Sequence, residues 1–339
     1  MIKLKMKDPL VKGLNHHAYT LAIAGEHPDF DNWFFSNYIQ LECHDNMTLF
    51  PLNFYRFKNS IVSNPLLKEN YIERKYLYEG IDYIDFFCNI LKQGAYIMTF
   101  VNEYYLTPMK AYKKYHFAHD ILLYGYDQQS RYFYASGYTK VGKYENFKIG
   151  FDEFSLAFER VYENEKKLNS IVPWLEGIHI LTLNKGETYT LELDTIINSL
   201  KDYVFSINSS KKYSESSSIL SKNSFGLEVY DNLITFVKNQ KNKIIDIRSF
   251  HILYEHKQCM VKRIEFLERR EFISQSSYLK NGFQKIEEKA LIIRNLVVKY
   301  NFTNDNRCIE SIINNVKELK KEEENLMKQF IYELEKKIL

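Results

Sequence analysis

The chain has 339 residues, of which 45% are hydrophobic and 26% charged, with a formal net charge of +3. This length supports one large domain or two ordinary ones, with cores that need neither disulfide nor metal, and the near balance of charge gives no whole-chain electrostatic footprint for nucleic acid. No stretch approaches the roughly 18 consecutive apolar residues of a membrane span, and the dispersed Cys43, Cys88, Cys259 and Cys308 contain no CxxC pair, which argues against a disulfide framework or a thiolate zinc site. The opening MIKLKMKDPLVKGLNHH lacks the apolar run of about 7 residues that a secretory signal needs, so a cytoplasmic protein is expected, with no membrane or nucleic-acid partner. The 27 Tyr and 24 Phe fit a coding bias and are not read as a stacking groove.

In chain order, the first clear element is GIDYIDFFCNILKQG, where Ile81, Ile84, Phe87, Cys88 and Leu91 recur at helical spacing and Gly94 suits the stop. Cys88 then reads as a small core residue. From Gly94 to about Phe151 the pattern is that of a sheet: GAYIMTFVNEYYL, HDILLYGYD and RYFYASGY are rich in β-branched, aromatic and aliphatic residues, and DQQS (127–130) suits a hairpin connection. IGFDEFSLAFERVYENEKK predicts a helix with Asp152 as N-cap and Phe154, Ala157, Phe158 and Val161 on one face. GIHILTLNK returns to strand. The Ser-rich stretch 206–224 has no sustained period and is expected to be a linker or mobile loop. Beyond it the chain reads as helix, ending in a segment whose stripe is Ile309, Ile312, Ile313, Val316, Leu319, Leu326, Phe330 and Leu334, with its charged positions expected on a solvated face. The expected organisation is an α+β domain over 1–205, a linker over 206–224 and an α-helical domain over 225–339.

The candidate chemistry lies in KKYHFAHDILLYGYD. His116 and His119 would share a face in a helix, but a strand starting near His119 does not direct them to one point. Asp120 should point to the opposite strand face, so no third ligand is evident and no metal is expected. A histidine fixed at the start of a core strand suits a general base, with a hydrogen-bonded structural histidine as the alternative. In the helical tail Asp246, Arg248, His251, Glu255 and His256 fall within three turns; a buried polar network is expected there rather than a metal pair. No GxGxxG or GxxxxGK is present, so nucleotide chemistry has no support.

The run NEYYLTPMKAYKKYHFAHDILLYGYD, followed by YFYASGY and FDEFSLAF, resembles the N-terminal domain of butirosin biosynthesis protein H and its relatives. These are papain-like, cysteine-peptidase-related proteins of gene clusters for nonribosomal peptides and other specialised metabolites. The likeness is continuous over about Gly94 to Phe158, weaker over the first hundred residues and diffuse at the end. It implies a papain-like α+β domain with a central, mostly antiparallel sheet, and acyl or aminoacyl transfer, or amide formation, on a carrier-protein thioester. The donor would ride on the phosphopantetheine arm of an acyl or peptidyl carrier protein, the acceptor would be a small amine, and no dissociable cofactor would be bound. A homodimer is left open. His119 matches the family histidine, Glu103 or Asp120 would orient it, with Asn102 as a further choice, and Tyr105, Tyr115, His116 and Tyr138 are candidate substrate-binding residues.

The departures concern the nucleophile. The stretch that should carry a thiol, GLNHHAYTLAIAG, has His16 and His17 and no cysteine, and the nearest thiol downstream is Cys43, beside His44 and Asp45. About where Ser136 and Gly137 stand, the orienting residue of the family pattern is missing. Three readings stay open. Cys43 is the nucleophile and His119 its base; His16 or His17 carries acyl groups or protons; or catalysis is lost and the fold is an accessory that binds a carrier domain or peptide.

Overall fold

A computed structural model describes residues 1–44, 52–55, 64–77, 80–162, 177–212, 223–274 and 277–338, to which every statement below refers. The chain is mixed α and β and separates into two compact units, one made of Met1–Pro28 and Ser60–Thr188, the other of Asp29–Asn59 and Tyr189–Leu339. This division differs from the boundaries expected from sequence. Residues 29–59 and 189–205 go with the helical tail because their elements pack on its helices; most of the expected linker, 213–222, lies outside the described residues, and Ser224–Phe225 is strand.

The first unit is built on an antiparallel seven-stranded sheet. Its strands are β1 (Ile2–Lys3), β4 (Leu67–Glu73), β5 (Tyr96–Asn102), β6 (Ala118–Asp127), β7 (Tyr132–Tyr138), β8 (Tyr144–Gly150) and β9 (Gly177–Leu183), in the order β4-β9-β5-β6-β7-β8, with β1 beside β6. The hairpin of β6 and β7 turns through 128–131, where the Ser130 N–H donates to the Asp127 carboxylate at 3.0 Å. One sheet face is covered by α3 (Tyr83–Lys92) and α4 (Phe151–Glu159): Phe87, Leu91, Phe154 and Phe158 meet Ile97, Val101, Ile121 and Leu123 in one apolar cluster. The Asp82 carboxylate caps α3 by accepting from the Ile84 and Asp85 N–H groups, and Gly94 takes a left-handed φ of 82° just past its end. Cys88 is buried in this core, as its spacing predicts. For α4 the cap is Gly150, not Asp152; Asp152 stands in the first turn and pairs with Arg131 at 2.9 Å.

The helix α1 (Asn15–Ala24) also belongs to this unit and contacts β4, β6, β7 and β9. Nine of its ten residues are buried, which suits a sequence, NHHAYTLAIA, with no charged side chain on any face.

The second unit joins α2 (Phe30–Asn37), α5 (Leu193–Val204), α6 (Val229–Asn239), α7 (Arg248–Arg269), α8 (Ser277–Thr303) and α9 (Asn306–Glu335) to a small antiparallel sheet in the order β10-β2-β3. Its strands are β2 (Leu41–Cys43), β3 (Leu52–Phe54) and β10 (Ser224–Phe225). Ile312, Val316, Leu319, Leu326, Phe330 and Leu334 of α9 are buried as the periodicity predicts. Its charged positions are not all solvated, however: Glu323 has 0% exposure and accepts from Lys257 at 2.6 Å. The Tyr203 hydroxyl donates to the same carboxylate at 3.0 Å, as does Tyr230; Lys257 also donates to His256 Nδ1 at 2.9 Å, and His256 Nε2 donates to the Ile39 carbonyl at 2.7 Å. Of the five tail residues singled out in sequence, only His256 joins this network. Asp246 pairs with Arg248, and His251 Nε2 lies 3.3 Å from Glu255. No described helix is long and apolar enough to cross a membrane.

Candidate functional site

The site grows from the start of β6. Register pairs His119 with Val101 and Asp120 with Phe100 of β5, so a central strand of the sheet fixes both residues. Alternation sends their Cβ atoms to opposite faces, and the sequence expectation was that the side chains would part. They do not. The imidazole reaches back across its own backbone, placing Nδ1 3.3 Å from the Asp120 carbonyl oxygen and 3.0 Å from the Asp120 carboxylate. Glu103, in the short helical turn after β5, adds a second carboxylate 4.0 Å from the same nitrogen.

From α1 the residue that meets this pair is Asn15. Its amide Nδ2 donates to Asp120 Oδ1 at 3.0 Å and lies 3.4 Å from His119 Nδ1, and the Tyr19 hydroxyl, one turn along, donates to the Asp120 carbonyl at 3.0 Å. With Nδ1 donating to Asp120, the carboxylate collects both donors. The start of α1, whose partial positive charge favours a nearby anion, reinforces it. The Asn15 carbonyl oxygen is buried and has no partner among the described residues. Such an acceptor costs about 1–3 kcal/mol while unpaired.

Electrostatics follow from this geometry. Burial opposes charge on His119, but Asp120, by charge and hydrogen bond, and Glu103, by charge, outweigh it and raise the imidazole from 6.5 to about 9. Burial likewise opposes ionisation of Asp120, yet His119, Asn15 and His16 hold it below the usual carboxylate range. Glu103 is raised from 4.5 to about 7 by burial, with His119 opposing and Asp120 adding to the rise. At neutral pH the centre is thus an imidazolium–carboxylate pair beside a carboxyl group near its midpoint.

The other candidates fall elsewhere. His16 follows Asn15 on α1, and its ring lies 4.3 Å from that of His17; burial lowers His16 to about 4 against the pull of Asp120, leaving it neutral at pH 7. His17 is buried. Cys43 belongs to the second unit, where β2 buries it completely between Ser224 and Leu52; Asp45 lies outside the described residues. Asn102 does not orient His119. Its amide lies 3.0 Å from His116 Nδ1 and donates to the Arg160 carbonyl at 2.9 Å, while its oxygen accepts from the Tyr104 and Phe117 N–H groups. His116 in turn stacks on Tyr104 at 4.3 Å and lies 5.9 Å from Tyr105. Tyr115 is half exposed, and the Tyr138 hydroxyl donates to the Lys12 carbonyl at 2.9 Å. Ser136 binds Asn146 at 2.5 Å.

The structure places both Asp120 and Glu103, the alternatives the sequence offers for orienting His119, beside its imidazole, and adds Asn15 and Tyr19, which a search for thiols and imidazoles passes over. Among the described residues no three His, Cys, Asp or Glu side chains converge as metal ligands would. Cavities of about 600 Å³ by Tyr278 and Leu326 and about 500 Å³ by Lys5 and Tyr124 do not include His119.

Fold and site define an α+β protein with a histidine–carboxylate pair facing the start of a buried helix. No protein-family model matches the chain, and no curated protein matches it.

Proposed function

We propose that the first unit is a papain-like domain whose nucleophile position is held by Asn15, and that the protein is a noncatalytic accessory of specialised-metabolite biosynthesis that binds a carrier domain or peptide at the His119 site. The observation that carries this reading is the Asn15 amide nitrogen 3.4 Å from His119 Nδ1. A thiol–imidazole pair needs its two reacting groups within hydrogen-bond reach and a nucleophile that can give up a proton to become a thiolate. A carboxamide is not activated by proton removal as a thiol is, so Asn15 and His119 form no nucleophile–base pair. The His119 side chain, 36% exposed, leaves the pair open to a ligand from solvent. A cytoplasmic setting and a small amine as co-ligand accompany the resemblance.

The test is intact-mass analysis after incubation with an acylated carrier protein. The parent and Cys43→Ala are expected to stay unmodified, while Asn15→Cys, which puts a thiol at the helix start, gains one acyl group at a rate that falls in Asn15→Cys/His119→Ala. An adduct on the parent that disappears in Cys43→Ala would overturn the reading in favour of a transferase. One observation favours a second reading: the neutral His16 imidazole could carry an acyl group, and then the parent's adduct would vanish in His16→Ala.

A further inference from the structure

The loop leading into β6 is tied down from inside and left bare outside. Asn102 anchors it as described, and the Lys113 N–H donates to the Tyr104 carbonyl at 3.0 Å. Lys113 adopts a left-handed φ of 52°, and its ammonium lies 5.2 Å over the Tyr112 ring. On the outside, Lys110, Lys113 and Lys114 are exposed. Tyr115 and Phe117, 50% and 42% exposed, have ring centroids 6.4 Å apart, and the Phe117 ring lies 5.3 Å from the His119 imidazole.

The turn between β7 and β8 joins the same rim. The Lys140 N–H donates to the Pro108 carbonyl at 2.9 Å, and the Thr139 N–H to the Lys143 carbonyl at 3.1 Å, which sets the exposed Lys140 and Lys143 beside the loop. Two carboxylates share this rim, Glu145, which accepts from the Thr139 hydroxyl at 2.5 Å, and Glu153, which accepts from that of Thr107, so the five lysines leave it net positive.

We infer that this rim is a docking surface for an acidic protein partner, with Tyr115 and Phe117 as its apolar centre and the five lysines as its charged border. The inference rests on the proposed binding role of the His119 site and says which surface the partner uses to reach it. Contact aromatics ringed by polar groups are the anatomy of a protein interface, and a net positive border steers a partner of opposite charge. Nucleic acid fits less well: a net charge of +3 provides no extended phosphate track, and the Tyr104 face is already covered by His116.

Fluorescence anisotropy tests this with a labelled carrier protein of acidic surface, in its apo and acyl-loaded forms. Both forms should bind the parent in a salt-sensitive way. Affinity should drop about tenfold or more in Lys110→Glu/Lys113→Glu/Lys114→Glu, and measurably in Phe117→Ser, but less than about twofold in the control Lys238→Glu/Lys241→Glu. Melting curves matching the parent's keep the surface variants interpretable. Binding that ignores the loop lysines, no binding by the parent, or tighter lysine-dependent binding of polythymidylate would each overturn the inference. The two proposals fail separately. A preference for the loaded form that needs His119 but not the lysines overturns the rim and spares the site; lysine-dependent binding indifferent to loading and to His119→Ala supports the rim and removes the site.

Discussion

Two clusters of charge, one in each unit, use similar parts and are finished in opposite ways. In the second unit Lys257 and Glu323 are both 0% exposed, and Tyr203, Tyr230 and His256 take up the remaining hydrogen bonds. Burial lowers Lys257, though Glu323 opposes the shift, and burial together with Glu323 pushes both tyrosines well up. Every partner is internal, so the cluster has no valence left for a ligand and fixes how α5, α6, α7 and α9 meet. In the first unit the His119 ring is 36% exposed, a second carboxylate waits 4.0 Å away, and the Asn15 carbonyl has no partner. The contrast sets a charge cluster whose hydrogen bonding is closed against one left incomplete, and it is the incompleteness that makes the second the candidate site.

The sharpest way to break this comparison is to open the closed cluster. Lys257→Met should destabilise the protein by about 3–5 kcal/mol, because it strands Glu323 in an apolar interior, whereas Lys257→Met/Glu323→Leu should regain most of the loss in thermal unfolding. A destabilised double variant and an unaffected single one would reverse the assignment. Next comes Asn102→Ala, which removes four hydrogen bonds holding the loop at the open site. It should cost about 2 kcal/mol in denaturant unfolding and speed hydrogen exchange at the Tyr104 and Phe117 amides.

The smallest effect is a pH dependence at the open site. His119 is raised from 6.5 to about 9, so its contribution is fully present below pH about 6.5 and fades as pH rises through about 9. Glu103, raised from 4.5 to about 7, works in the same direction between those values; Asp120, held low, contributes above the usual carboxylate range and loses it as pH falls. Since the imidazole is a third exposed, solvent screening leaves about 1 kcal/mol between pH 6.5 and 9. NMR titration should place the His119 midpoint near 9 and bring it down in Asp120→Asn; an ordinary midpoint in the parent would remove the ion pair from the site.

Much of this could be read from the chain because it depends on local pattern. Alternation and turn chemistry locate β5, β6 and β7, Asp82 and Gly94 bracket α3, and helical period marks α9. Glu323 also lay within reach: it sits four residues after Leu319 and three before Leu326, on the apolar stripe, where a carboxylate needs an internal cation. Asp120 was among the candidates to orient His119, but the geometry of their pairing was not accessible, because it depends on how an imidazole folds over its own strand and not on the strand's period. Nor was the place of Asn15, since contacts across 104 residues of sequence leave no periodic trace. The assignment of residues 29–59 was missed for the same reason.

That last stretch has a consequence for synthesis. The chain lays down α1, leaves for β2 and β3, returns to complete the large sheet, and departs again at Tyr189. On the ribosome, β2 and β3 emerge long before β10 and α7, which pack on them, so the nascent polypeptide must carry unburied apolar surface until residues 248–269 have been made. A fragment stopped at 205 would keep that debt, and it should be sticky and protease-sensitive where residues 1–339 together are not.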